Sequence, residues 1–196
     1  MLSWEYPPLI EGGLARHVRK LSEALVELGV EVHVLTRGGE ESPAEERCAG
    51  VHVHRIVEPK RPTELGEFVT WVGSMNSDML AAGVELGDEL GFDLVHGHDW
   101  LVANACDHLA RRFDAPLVMT IHATEYGRHQ GWVDKHPQTY IHGVERWITN
   151  RSQRVIGGDD LAGPIAADQQ QAFAPDPAAN QRIQQQQNGK ECRKRK

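Results

Sequence analysis

Three short stretches combine residue types suited to chemistry, and each stands where a strand pattern gives way to a helix pattern. In EYPPLIEGGLARH (residues 5–17), Gly12 and Gly13 place bare backbone at the mouth of an amphipathic run. Backbone N–H groups and the helix dipole at such a point favour an anion, a phosphate above all; the same glycines also suit a tight turn with no ligand. In HGHDW (96–100), Asp99 is placed to cap the helix that follows. His96 and His98 are expected on opposite faces of the strand end, one ring toward a cleft and one packed, which disfavours a shared metal. In TIHATEYGRHQGW (120–132), His122 closes a buried strand, and Glu125, Arg128 and His129 follow in a polar loop suited to hydroxyl and phosphate recognition. A histidine at a strand end serves packing as readily as catalysis, so the residues alone leave His122 open between the two.

Other chemistries lack their residues. His129, His136 and His142 fit no zinc spacing, and Cys48, Cys106 and Cys192 lie far apart, so neither a metal site nor a disulfide is expected. The dinucleotide fingerprint G-x-G-x-x-G, the phosphate loop G-x-x-x-x-G-K-[ST] and the hydrolase elbow G-x-S-x-G are all absent. A formal net charge of −7 over 196 residues argues against nucleic-acid binding. The longest apolar runs are strand-sized and no basic start precedes one, so no integral membrane segment and no signal peptide are expected. Unpaired thiols then suggest a cytoplasmic chain.

The elements that must hold these stretches follow from hydrophobic period. MLSW is a strand stub. Leu14, Val18, Leu21, Leu25 and Leu28 recur at helical steps over 13–29, and Gly29 stops the run. Residues 30–37 and 51–57 alternate and are β-branched, hence strands, with a polar loop between them. A long helix over 65–90, a strand DLVHGH, a helix over 99–113, a strand PLVMTIH, a helix over 137–150 and a strand start at 154–156 complete the pattern. Strands alternating with helices predict a Rossmann-like, doubly wound parallel α/β sheet, whose ligands bind beyond the carboxyl ends of the strands. After residue 156 apolar periodicity fails: residues 157–196 hold eight glutamines and end in KECRKRK. The expected organisation is therefore a domain over 1–156 and a largely disordered tail, with room for a short helix near 161–171.

SWEYPPLIEGGLARHV, DLVHGHDWLVA and TIHATEYGRHQGW, in this order and spacing, resemble retaining glycosyltransferases of family 4, nearest in pattern to the glycogen-synthase-like α-1,4-glucan glucosyltransferases. The resemblance implies the acceptor-side, N-terminal half of a GT-B fold. It implies transfer of glucose from ADP- or UDP-glucose to a glycan acceptor, without metal or cofactor. By the same resemblance His122 matches the catalytic histidine beside the transferred sugar, and Gly12 and Gly13 match the loop that approaches the donor diphosphate. Asp99, with His98 beside it, matches a sugar-contacting acid; Glu125 and Arg128 belong to the third motif and go with sugar and acceptor binding. Family members carry more apolar residues ahead of SWEYPP and, after RVI, a donor-binding domain that this sequence does not show. The chain alone is therefore expected to be inactive. The alternatives are a non-catalytic carbohydrate-binding module, or a relative acting on a lipid or small-polyol acceptor.

Overall fold

A computed structural model describes residues 1–39, 42–58 and 60–157. The expected tail and its short helix lie outside the described residues. The chain runs α1 (Gly13–Glu27), β1 (His33–Gly38), β2 (Glu45–Cys48), β3 (Val51–Val57), α2 (Leu65–Leu90), β4 (Val95–His98), a 3₁₀ turn (Trp100–Val102), α3 (Ala103–Arg112), β5 (Leu117–Ile121), α4 (Glu125–Arg128), α5 (Gln138–Arg151) and β6 (Arg154–Gly157). β1 pairs with β3, β4 with β5 and β5 with β6, all parallel.

The N-terminal stub holds the middle of the sheet. Leu2 bridges to both Leu35 of β1 and Gly97 of β4. Its N–H donates to the His96 carbonyl at 2.8 Å, and its own carbonyl accepts from His98 N at 3.1 Å. On the other side Leu35 N donates to the Met1 carbonyl at 2.8 Å and Ser3 N to the Leu35 carbonyl at 3.1 Å. The order across the sheet is thus β2, β3, β1, Leu2, β4, β5, β6.

Part of the expected polar loop is instead β2, an antiparallel edge strand on β3. Its sequence, Glu45-Glu46-Arg47-Cys48, has no apolar face to betray it. Main-chain pairing decides it, and an exposed charged edge of this kind resists further strand addition.

Alternation divides the core. Val34 and Val53 pack with Val18 of α1, whereas Leu35, one residue along, packs in a second cluster with Trp71, Met75 and Met79 of α2. Adjacent strand residues face opposite ways, so α1 and α2 cover opposite faces of β1. The α1 run ends as its pattern requires. Gly29, at φ 84°, donates to the Val26 carbonyl and Val30 N donates to the Leu25 carbonyl, closing the helix with a paired left-handed cap. Leu28, expected on the buried face, is exposed because it lies at this cap.

Two buried polar side chains fix α3, which follows His98-Asp99-Trp100 and the 3₁₀ turn. Asn76 of α2 donates to the Leu101 carbonyl at 2.7 Å and accepts from Ala105 N at 3.0 Å. Asp107 pairs with Arg111 on its own helix and with Arg151 of α5, both at 2.9 Å. Among the described residues no helix is long and apolar enough to cross a membrane.

Candidate active site

The carboxyl ends of β4 and β5 and the amino end of α1 meet at one place. Gly12 precedes α1 in extended conformation, with no side-chain cap on the helix. A Cβ added to Gly12 or Gly13 would meet nothing within 4 Å, and neither residue has positive φ. The fold itself therefore does not demand glycine here, and the space in front of α1 is open. The approach to the glycines is held from behind by Glu5, whose buried carboxylate accepts from Glu11 N at 2.8 Å and Gly12 N at 3.0 Å.

Glu11 is held in turn by Arg37, a fully buried cation at the end of β1. Arg37 donates to the Trp4 carbonyl at 2.8 Å, Glu58 at 2.7 Å and Glu11 at 2.6 Å. Burial resists ionisation of Glu11, but hydrogen bonds and charge from Arg37 and Arg61 outweigh it, leaving the carboxyl below its ordinary range.

Four histidine rings gather beside this loop. His96 and His98 lie on one face of β4, stacked at 4.5 Å, and both are buried. The expectation of opposite faces is wrong: residues two apart on a strand share a face, and the intervening Gly97 takes the other. His96 Nε2 contacts Thr120 Oγ1 at 2.8 Å, and His98 Nδ1 lies 3.3 Å from His122 Nε2. His17, one turn into α1, sets its ring edge-on to His122 at 4.6 Å and to His98 at 5.8 Å. Burial lowers His96 to about 4 and His98 to about 2, with neighbouring cations and rings adding to the effect. It also lowers His122, reinforced by His17 and opposed by Asp99. His96, His98 and His122 are thus neutral near pH 7 and can donate or accept according to tautomer. His17, His98 and His122 each bring a ring nitrogen within 4.8 Å of the others. No local spacing could show this, because the three come from α1, β4 and the end of β5.

Asp99 does not cap the following turn as expected. It sits at φ 62°, ψ 171°, a region that costs a side chain about 1–3 kcal/mol. Its carboxylate instead accepts the backbone N–H of His122 at 2.8 Å. The strained turn ties the ends of β4 and β5 together and fixes the base of His122. Burial raises the Asp99 carboxyl, partly countered by the His122 N–H and by the charges of His122 and Arg128.

The expected polar loop after β5 contains α4, capped by Thr124 Oγ1 accepting Gly127 N at 3.0 Å. Glu125 is buried, with His129 Nε2 at 3.0 Å and Arg128 at 3.6 Å, while Arg128 itself is half exposed. Glu145 of α5 accepts Glu125 N through both oxygens, at 2.9 and 3.0 Å. Burial pushes Glu145 up to about 7, with the Glu125 N–H and Arg128 pulling the other way. The structure thus brings Gly12, Gly13, His98, Asp99 and His122 to one edge, with Glu125 and Arg128 on the adjoining turn. Sequence reasoning missed His17, Glu5, Arg37 and Glu145. Only His17 had a usable signal, lying four residues after Gly13 and so on the same side of α1.

Replacing Glu145 with alanine should strand the buried Glu125 N–H and cost about 1–3 kcal/mol in urea unfolding at neutral pH. Glu145→Gln keeps an acceptor and should cost less than half as much; equal losses would show that the hydrogen bond does not hold α4.

The sequence pattern of Glycosyltransferase Family 4 matches residues 11–157. The chain belongs to glycosyltransferase family 4. It is 40% identical over 168 residues to a glycogen synthase of Mycobacterium tuberculosis, covering 80% of this chain and 41% of that protein. It is 38% identical over 156 residues to an uncharacterized glycosyltransferase of Methanocaldococcus jannaschii, covering 80% and 38%. The chain thus spans about two-fifths of the length of these family relatives. In fold it is similar to sucrose-phosphate synthase from Thermosynechococcus elongatus, with TM-score 0.62 and 20% identity over 79% of this chain and 41% of that one. A UGT transferase from Siraitia grosvenorii shares the fold more loosely, with TM-score 0.52 and 14% identity over 86% and 48%. The chain shares its α/β fold with these structures, and the histidine edge lies at the carboxyl ends of its parallel strands.

Proposed function

We propose that the described domain is the acceptor-side half of a retaining glucosyltransferase that moves glucose from ADP- or UDP-glucose to an α-glucan. One observation carries the reading: the open backbone at Gly12–Gly13 is joined, through a single turn of α1, to the ring of His17 against His122. An anion-favouring helix end and a neutral imidazole array thereby share one edge of the sheet.

On this reading the N–H groups opening α1 stabilise the negative charge that grows on the departing diphosphate. His122, held by Asp99 through its backbone, offers an uncharged ring to a hydroxyl or main-chain group of the transferred sugar. An uncharged ring suits this role, because a cation would oppose the positive charge that develops at the anomeric carbon. Arg128 stands exposed on the sugar and acceptor side, with Asp99, His98 and Glu125 buried behind it. No metal or cofactor enters this scheme. On this reading the described domain offers a nucleotide little beyond the N–H groups opening α1, so by itself it should bind ADP or UDP at millimolar levels or weaker and transfer no glucose.

The test joins the donor half of a family 4 enzyme after Gly157 and measures glucosyl transfer. Gly13→Val and His122→Ala should each lower kcat by about a hundredfold. Gly13→Val should leave the melting temperature little changed, since a Cβ at this position faces open space. Full turnover in Gly13→Val, or micromolar nucleotide binding by the isolated chain in calorimetry, would overturn the assignment of this edge.

A further inference from the structure

The amino ends of β1 and β3, opposite the edge described above, carry a second set of histidines that the glucosyl-transfer reading does not use. His33 and His52 are register partners across the two parallel strands, and His54 lies two residues beyond His52. Paired and alternate positions share one face, so all three rings stand on the side of the sheet that α2 covers. His33 stacks on His52 with ring centroids 4.6 Å apart and planes within 10°, and on His54 at 5.3 Å and 12°. Two carboxylates flank the stack. Glu31 Oε1 lies 3.2 Å from His33 Nε2, and Glu45 of β2, the register partner of His54, lies 3.5 Å from His54 Nδ1.

We propose that Glu31, His33 and His52 form a binding site for a divalent transition-metal ion of the zinc class, with His54 and Glu45 orienting His33 from behind. Each of the three ligands brings one donor atom within 4.8 Å of the other two. A tetrahedral ion with bonds near 2.0–2.1 Å draws its ligands to roughly 3.3 Å from one another, so closure needs about 1–2 Å of side-chain movement. Glu31 already lies 3.2 Å from His33 Nε2, so the movement falls to His52, whose ring turns out of its stack on His33 to aim a nitrogen at the ion. Imidazole and carboxylate donors select zinc and its neighbours over calcium or magnesium, which prefer oxygen alone.

The hydrogen bonds behind the ligands are arranged as such a site needs. With the ion on His33 Nε2, where the Glu31 carboxylate already sits, His33 Nδ1–H donates to His54 Nε2 at 3.0 Å. His54 Nδ1–H then points to Glu45. A ligating imidazole whose second N–H is held in this way has its tautomer and ring plane fixed in advance. Glu31 and His33 also border a groove of about 420 Å³ between the end of α1 and the segment after α2, which gives an ion and its remaining waters a path from solvent. Arg47, opposite His52 on β2, is exposed and free to turn outward as the ion enters.

The full chain, titrated with Zn²⁺ alone in calorimetry and with Co²⁺ by absorbance, tests the site. The expected result is micromolar affinity with the intense visible bands of a low-coordinate cobalt site. His52→Gln and His33→Gln should each weaken binding at least tenfold, His54→Gln about tenfold through loss of orientation, and His122→Asn should leave this affinity unchanged. His52→Cys restores a ligand and should recover binding together with a thiolate-to-cobalt band, which separates lost ligation from damaged folding. Unchanged affinity in the His33→Gln, His52→Gln double variant would overturn the proposal. So would loss of binding in His122→Asn, which would move the ion to the His17–His98–His122 edge, or a thiolate band in the unaltered chain, which would move it to a cysteine.

Discussion

Between pH 7 and pH 5, His96 and His98 together should remove about 4 kcal/mol of folding stability. Burial holds them at about 4 and about 2 in the folded chain, against an ordinary 6.5. A group lowered on folding binds its proton more tightly when unfolded. Its contribution is therefore present above pH 6.5 and is lost, by about 1.4 kcal/mol per unit, as pH falls toward the folded value. His122, also lowered, acts in the same direction.

Glu145 acts oppositely. Its folded value of about 7 exceeds the ordinary 4.5, so the folded chain holds that proton more tightly and gains stability as pH falls from 7 to 4.5. The gain by pH 5 is about 2 kcal/mol and offsets roughly half the histidine loss. Asp99, raised by burial, adds to the same side. Urea unfolding at the two pH values should thus show a modest net loss in the unaltered chain. The Met1 ammonium, lowered by burial to about 6, adds to the loss; in Glu145→Gln the loss should grow by about 2 kcal/mol, and in His98→Gln it should shrink by about 2 kcal/mol. Identical pH dependence in all three proteins would mean that the rings at the β4 edge are solvated rather than buried.

Gly97→Ala should destabilise the domain by about 3 kcal/mol, while Gly12→Ala should leave stability within about 0.5 kcal/mol of the original. The two glycines look alike in sequence, each beside a candidate site residue. Gly97, however, lies between Leu2 and β5 at the centre of the sheet, and a Cβ there would stand 2.5 Å from both Cys106 Sγ and Met119 Sδ. Both of those side chains are fully buried and have nowhere to retreat. Gly12 faces open space. Thermal unfolding of the two variants tests the distinction, and equal effects would refute it.

Local period was enough to read most of the elements. Val51–Val57 and Leu65–Leu90 fall at their expected bounds because alternation and helical spacing are properties of neighbouring residues. The three chemical stretches were legible for the same reason: each is a short run at a strand-to-helix junction, and parallel α/β topology sends all such junctions to one edge. The sequence also carried the family through the order and spacing of those runs.

What needed the tertiary structure were relations between distant residues. The central position of Leu2 depends on hydrogen bonds to two strands that lie more than thirty and more than ninety residues away. The sequence of β2 carries no apolar stripe, so only pairing with β3 makes it a strand. Asp99 resembles a helix cap locally, yet its carboxylate goes to His122 N because β4 and β5 end side by side. His17 joins His98 and His122, and His33 joins His52 and His54, because α1 and the parallel register bring them together. A donor set built across elements has no spacing to read in the chain, since distance in space is decided by packing and not by sequence separation.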